Sequence, residues 1–120
     1  MNKLAKRGGP PDVPAVVHNN IEYSVIHYGE ALGESQNGGF VVATDLATNT
    51  RLWVLKVYET KYNPQKEMDV QDIFIEKLAI TNGKLRVVDR LARQFMIDLT
   101  TKSIVQTRPK PNPQQQKKPE

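Results

Sequence analysis

The dipeptide Asn82-Gly83, which lies between two apolar runs, constrains the fold more than any other feature of the sequence. A two-residue type I′ turn requires positive φ at both positions, and Asn-Gly tolerates this conformation best. The dipeptide therefore predicts a β-hairpin formed by residues 73–81 and 84–90. In the second strand, Leu85 and Val87 share one face and alternate with other side chains, as in a half-buried strand.

The same alternation recurs in other parts of the chain. Residues 94–99 place Phe95, Ile97 and Leu99 on one face, and residues 21–28 also alternate. Residues 39–46 and 51–59 are rich in Val, Leu, Phe, Trp and Tyr, which favour strands. The sequence therefore predicts a mainly all-β fold, in which antiparallel hairpins form two blade-like sheets or a small sandwich.

Residues 51–59 carry apolar side chains on both faces of the predicted strand. Trp53, Leu55 and Val57 share one face, while Leu52 and Val54 partly cover the other. Strands that are buried on both faces have this composition. We therefore expect residues 51–59 to form a central strand with a second layer over part of its length.

Residues 67–80 fit two kinds of secondary structure. The apolar positions also match helical spacing, and neither Gly nor Pro interrupts them. We predict a strand from Ile73 onward, and a short helix of one or two turns over residues 67–72 remains open.

Composition separates the chain into one body and two tails. Residues 1–14 and 108–120 are rich in Pro, Gly, Gln and basic residues, so we predict flexible tails around a single β domain at residues 15–107. Residues 1–20 carry three positive and one negative side chain, and residues 108–120 carry four and one. The formal net charge of +4 therefore comes from the ends of the chain, since the residues between them are slightly acidic.

The sequence contains no cysteine and no apolar run of the roughly 20 residues that a membrane-spanning helix needs. The basic opening residues are followed by Gly-Gly-Pro-Pro, where a secretory signal needs an uninterrupted apolar stretch. The expected location is the cytoplasm, without a membrane partner.

Two turn segments repeat along the chain at an interval of about fifty residues. DLATNT begins at Asp45 and DLTTKS begins at Asp98, and each follows one apolar strand and precedes another. Asp and Thr three positions apart can hydrogen-bond the backbone of a tight turn. The repeat therefore predicts two related hairpins.

GGFVVATDLATNTRLW, at residues 38–53, resembles the strand-turn-strand unit of quinoprotein-type β-propeller blades, where an Asp-x-x-Thr-Gly turn leads into a strand with Trp. Residues 82–105 resemble a second copy. Asn49 and Lys102 stand where Gly is usual, and the second copy has Val105 near the Trp position. Two blades are fewer than the ~4 to 8 of a closed ring. The resemblance implies two blade-like sheets that self-association completes, and it transfers no cofactor or catalytic residue.

We can assemble no catalytic, metal or cofactor site from the available side chains. His18 and His27 lie in different segments without ligand spacing. We expect His18 in an exposed lead-in and His27 beside a strand. The glycine-rich residues 29–39 lack the Gly-Lys-Ser/Thr ending of a phosphate loop and predict a long hairpin loop.

Two groups of residues are candidates for an interaction surface. Loops concentrate binding residues, and a basic cluster can contact acidic partners. The candidates are Glu30, Glu34, Gln36 and Asn37 in the loop, and Lys84, Arg86, Arg90 and Arg93 in the body.

Three functional hypotheses follow. The preferred one is a non-enzymatic interaction module that binds a protein partner or a second copy through sheet edges or strand faces. The alternative is association with nucleic acid through the basic tails and the cluster from Lys84 to Arg93, with steep salt dependence. The third is an enzyme whose site lies in scattered side chains.

Overall fold

A computed structural model describes residues 9–67 and 71–107. Within these residues the chain forms two four-stranded antiparallel sheets and one short 3-10 helix. The all-β prediction is confirmed, and the two sheets pack as a small sandwich. The elements are β1 Val16–His18, β2 Ile21–Ile26, the 3-10 helix Gly29–Leu32, β3 Phe40–Asp45, β4 Thr50–Lys56, β5 Ile75–Thr81, β6 Lys84–Asp89, β7 Gln94–Asp98 and β8 Ile104–Thr107.

The first sheet has the strand order β1-β2-β3-β4. Asn19 and Asn20, with φ of 54° and 62°, form the tight turn between β1 and β2. Asn adopts left-handed backbone more readily than most residues, so this dipeptide can reverse the chain in two residues. The sequence analysis did not predict β1, and His18 lies in this strand instead of an exposed lead-in.

The second sheet repeats the same order, β5-β6-β7-β8. Asn82 and Gly83 have φ of 52° and 75° and connect β5 to β6, which confirms the predicted hairpin. Ile80 pairs with Leu85, Leu85 with Ile97, and Ile97 with Ile104. This apolar row crosses all four strands and fixes the register, because a slip of one residue would move each side chain to the opposite face.

The two repeated turns have the same local geometry. An Oδ1 atom of Asp45 accepts a hydrogen bond from the Ala47 amide at 2.9 Å, and Oδ1 of Asp98 accepts one from the Thr100 amide at 2.8 Å. Asn49 and Lys102 adopt left-handed backbone with φ of 57° and 64°. Each sheet therefore contains one of the two related hairpins that the repeat predicts.

One face of each sheet contributes to a shared apolar core. The buried cluster consists of Tyr23, Val41, Ala43, Val57, Tyr58, Ile75, Leu78, Leu85, Val87, Phe95 and Ile97. Trp53 and Leu55 are partly buried against it, on the face that the alternation predicts. Leu85 is fully buried, so its truncation to Ala would cost about 2–5 kcal/mol through lost transfer energy and the remaining cavity.

The prediction that residues 51–59 form a central strand is wrong. β4 lies at the edge of the first sheet, and Leu52 and Val54 are exposed on its outer face. The strand that is buried on both faces is β3, where Val41 lies in the core and Val42 on the opposite face is also buried. β3 is therefore the strand of this sheet that is covered on both faces. The ring of Phe40 lies against Gly29, in the loop between β2 and β3.

The choice between helix and strand at residues 67–80 is settled from residue 75 onward. β5 begins at Ile75, and its pairing with β6 leaves no room for a helix there. Residues 67, 71 and 72 are not helical, whereas the middle of the alternative helix, residues 68–70, lies outside the described residues.

Residues 9–14 do not belong to a free tail. The Gly9 carbonyl accepts a hydrogen bond from Arg90 at 2.7 Å, and the Pro11 carbonyl accepts one from Nε2 of His27 at 2.8 Å. Val13 packs against the core. The predicted boundary at residue 14 is therefore too late in the chain, because these contacts attach the lead-in to both sheets. Residues 1–8 and the predicted tail at 108–120 lie outside the described residues.

Candidate interaction surface

The loop between β2 and β3 contains both exposed and buried candidates. Glu30 and Glu34 are exposed, at and just after the 3-10 helix. Gln36 is fully buried, so its assignment to an accessible surface is wrong. Its Nε2 donates to the carbonyls of Gly38 and Tyr58, both at 2.8 Å, and its Oε1 accepts from the Thr60 amide at 2.8 Å. The side chain satisfies backbone groups that would otherwise be buried without partners.

Asn37 attaches the same loop to the segment before β5. Its Nδ2 donates to Oδ2 of Asp72 at 3.3 Å, and Tyr62 donates its hydroxyl proton to Oδ1 of the same carboxylate at 2.7 Å. Burial, followed by the hydrogen bond to Asp72, raises the pKa of Tyr62 to about 12. The hydroxyl therefore stays protonated at neutral pH and acts as a structural donor.

The four basic candidates do not form one patch. Lys84 and Arg86 lie on the outer face of the second sheet, 3.9 Å from Oδ2 of Asp98 and 3.5 Å from Oε1 of Gln94, respectively. Both contacts connect neighbouring strands. This face is an ordinary charged sheet surface in which cations lie beside anions or amides.

Arg90 and Arg93 lie at the end of β6 and in the turn that follows it, and both are half-buried. Arg93 donates from Nε to Oδ2 of the buried Asp89 at 2.6 Å, and its guanidinium lies 4.9 Å from the ring centroid of Tyr58. Arg90 lies 5.1 Å from the Phe74 ring centroid and 3.5 Å from Glu76. Both arginines therefore hold the β6–β7 turn against the body.

The histidines are placed apart from each other. His27 contacts Phe74 edge-on at 5.3 Å between ring centroids, and burial lowers its pKa. Its Nδ1 is buried and has no partner among the described residues. His18 lies in β1, beside the Asn19 amide at 3.3 Å. In the described part of the chain, no group of three or more His, Asp or Glu side chains is arranged to hold a metal ion.

The outer face of the first sheet has exposed apolar side chains along β4 that the sequence analysis did not assign to binding. Ser24 pairs with Val42 and Val42 with Val54, which places these three in one row across the sheet. Leu52 and Val54 are 46% and 36% exposed at one side of this face. The sequence contained a signal for this surface, namely the second apolar face of residues 51–59, but we predicted that this face is buried.

The outer edge of β4 is open. The Val57 amide donates to the Gly39 carbonyl at 2.7 Å, and antiparallel strands alternate between residues that bond to the neighbour and residues that do not. The backbone groups of Leu55 and Trp53 therefore face β3, and those of Lys56 and Val54 face away from it. Among the described residues, no strand pairs with this side of β4.

Two of the other three sheet edges are short, and the third, the seven-residue β5, lies beside β1. β1 has only three residues and contacts β5. Between β1 and β5 lies a groove of about 240 Å³, lined by the apolar residues Pro14, Val16, Leu78, Ala79 and Val88 together with charged side chains of the second sheet. β8 has four residues, compared with seven in β4.

A scan against protein-family models finds no match, and a search of curated proteins finds no significant relative. No helix among the described residues is long and apolar enough to cross a membrane.

Proposed function

We propose that this chain is a non-enzymatic β-sheet interaction module that binds a protein partner or a second copy of itself through the first sheet. The observation that carries the proposal is the open seven-residue edge of β4, flanked by the exposed side chains of Leu52 and Val54. Open edges are templates for pairing with another strand, and proteins usually shorten, cover or charge them. An added strand would satisfy the backbone groups and cover the apolar side chains together.

The two sheets also support the blade-like interpretation. Both have four strands in sequential antiparallel order, a two-residue turn after the first strand and an Asp turn before the last. An interaction that extends the first sheet is compatible with this architecture. The proposal takes no cofactor, substrate or catalytic residue from it.

The test compares association of the full chain with that of matched surface variants. Leu52→Lys and Val54→Lys change exposed positions on the first sheet, whereas Val105→Lys changes a more exposed position on the second sheet. Sedimentation velocity over a range of concentrations detects self-association, and chemical crosslinking of the purified chain identifies the surface involved. Association through the first sheet, with a second copy or with a partner protein, should be weakened by the first two substitutions and left unchanged by the third. Equal behaviour of all three variants contradicts the proposal.

Association with nucleic acid remains the alternative function. Its support is the basic composition of residues 1–8 and 108–120, which lie outside the described residues. The basic side chains of the body contribute less, because Lys84, Arg86, Arg90 and Arg93 already contact neighbouring groups. Replacing Arg108, Lys110, Lys117 and Lys118 by Gln in the full chain, together with Lys3, Lys6 and Arg7, should remove salt-sensitive binding to single-stranded DNA if this alternative holds.

A further inference from the structure

β4 exposes a row of backbone groups to which another strand can bind. Val54 and Lys56 direct their N–H and C=O groups away from β3, as the alternation from Val57 requires. The inner side of the same strand carries Trp53 and Leu55, which are only partly buried. An added strand would therefore gain hydrogen bonds along the edge and apolar contacts on both faces.

The charge of this edge distinguishes between two kinds of partner. β4 carries Arg51 and Lys56 and no acidic residue. Lys102 adds a third cation, with its Nζ 5.5 Å from the ring centroid of Trp53. Among the described residues, the acids beside the strand are the exposed Glu59, 3.4 Å from Lys56, and Asp45, which pairs with Thr50 and accepts a hydrogen bond from the Ala47 amide. A second copy of β4 would bring further cations to the same edge, whereas an acidic strand would be attracted to it.

We propose, on the basis of the function proposed above, that β4 binds an extended acidic segment of another protein, which adds to the first sheet as an antiparallel fifth strand. β4 has a bulge at Leu52, because Arg51 pairs with Thr44 and Trp53 with the adjacent Ala43. An added strand in the same register therefore has its positions opposite Arg51 and Lys56 four residues apart, as Thr44 and Phe40 are in β3. Acidic side chains lie at these two positions, a β-branched residue lies between them opposite Val54, and apolar residues cover the inner side.

The probe for this proposal is the acetylated and amidated peptide VEVTVEV, in which the two Glu residues are four positions apart. The matched control is VKVTVKV, which has the same length and apolar residues. Trp53 is the only tryptophan of the chain and lies on the inner side of the edge, so its fluorescence reports strand addition directly. The titration uses the full chain at low and at moderate salt.

We expect the acidic peptide to bind on the order of tenfold more tightly than the basic control, because two cross-strand pairs change from attraction to repulsion. Added salt should reduce this preference. The double variant Arg51→Glu with Lys56→Glu should reverse it. Equal affinity of the two peptides for the unmodified chain, or unchanged preference in the double variant, overturns the choice of an acidic partner.

A proline pair tests whether the backbone edge is the binding element. Val54→Pro removes an N–H that faces away from β3, a position at which an edge strand tolerates proline. Gln106→Pro is the matched control, because its N–H also points to the open side of an edge strand, β8. The Asp98 amide donates to the Ser103 carbonyl, and the alternation of bonded and non-bonded pairs from there turns the Gln106 N–H away from β7. Circular dichroism verifies that both variants fold. Only Val54→Pro should reduce the affinity for VEVTVEV, by about tenfold or more.

The outcomes separate this inference from the proposed function. If no peptide binds, but the chain forms a dimer that Val54→Pro disrupts, the acidic partner is wrong and the interaction module stands. If the acidic peptide binds equally well to Val54→Pro and to the unmodified chain, β4 is not the site. If Val54→Pro alters neither peptide binding nor self-association, the edge has no role, and both proposals fail.

Discussion

Replacement of the buried amide of Gln36 by an apolar side chain should destabilise the domain severely. Gln36→Leu removes three hydrogen bonds of 2.8 Å, to the carbonyls of Gly38 and Tyr58 and to the amide of Thr60. All three partner residues are buried, so water cannot readily replace the side chain. An unsatisfied buried group costs roughly 1–3 kcal/mol, which gives about 3–5 kcal/mol for the set after partial relaxation.

This loss is a large part of the 5–15 kcal/mol by which small domains are usually stable. Urea denaturation followed by Trp53 fluorescence measures it, with Glu34→Gln in the exposed part of the same loop as the control. Gln36→Glu is a second comparison, because it retains the acceptor for Thr60 but places a carboxylate against two carbonyl oxygens. We expect it to lose at least as much stability as Gln36→Leu. A loss below about 0.5 kcal/mol for both variants would refute the assignment of Gln36 to a buried support.

Three further predictions test other local features. Gly38→Ala should lower the free energy of unfolding in urea by about 2–4 kcal/mol, because the added Cβ would overlap a backbone carbonyl. Gly33→Ala should lower it by only about 1 kcal/mol, because Gly33 has φ of 89° but open space around it, and equal losses in the two variants would contradict this reasoning. Ala92→Gly should raise the free energy of unfolding by roughly 0.5–1 kcal/mol, because Ala92 has φ of 66°, a left-handed conformation that is strained for Ala and not for Gly. A decrease would contradict this turn geometry. Because burial lowers the pKa of His27, the unfolded chain binds more protons below pH ~6.5, so stability should fall on acidification. His27→Gln should flatten this dependence in urea unfolding at several pH values, and an unchanged dependence would contradict the reasoning.

The strands that were predicted correctly are those whose signals are local. Asn82-Gly83 identified the β5–β6 hairpin because its positive φ values need no information from the rest of the fold. The alternation in β6 and β7 placed Leu85, Val87 and Ile97 in the core for the same reason. β1 was missed because three residues between a Pro-rich lead-in and an Asn-Asn turn have too short an alternating pattern.

The errors concern features that depend on contacts distant in sequence. Leu52 and Val54 indicated a strand with two apolar faces, but strand composition does not specify whether a strand is central or at an edge. Gln36 looks like a loop residue, since its three backbone partners are recognised only after the chain has folded. Arg93 likewise appeared to be a surface cation until the fold placed it on Asp89 and the Tyr58 ring.

Amide hydrogen exchange of β4, measured on the full chain with and without the peptide VEVTVEV, tests the open edge most directly. In the free chain, the amides of Val54 and Lys56 should exchange rapidly and those of Leu55 and Val57 slowly, because only the latter pair bonds to β3. The peptide should then protect Val54 and Lys56. Slow exchange of these two amides in the free chain, or exchange that the peptide leaves unchanged, would contradict the assignment of β4 as the binding edge.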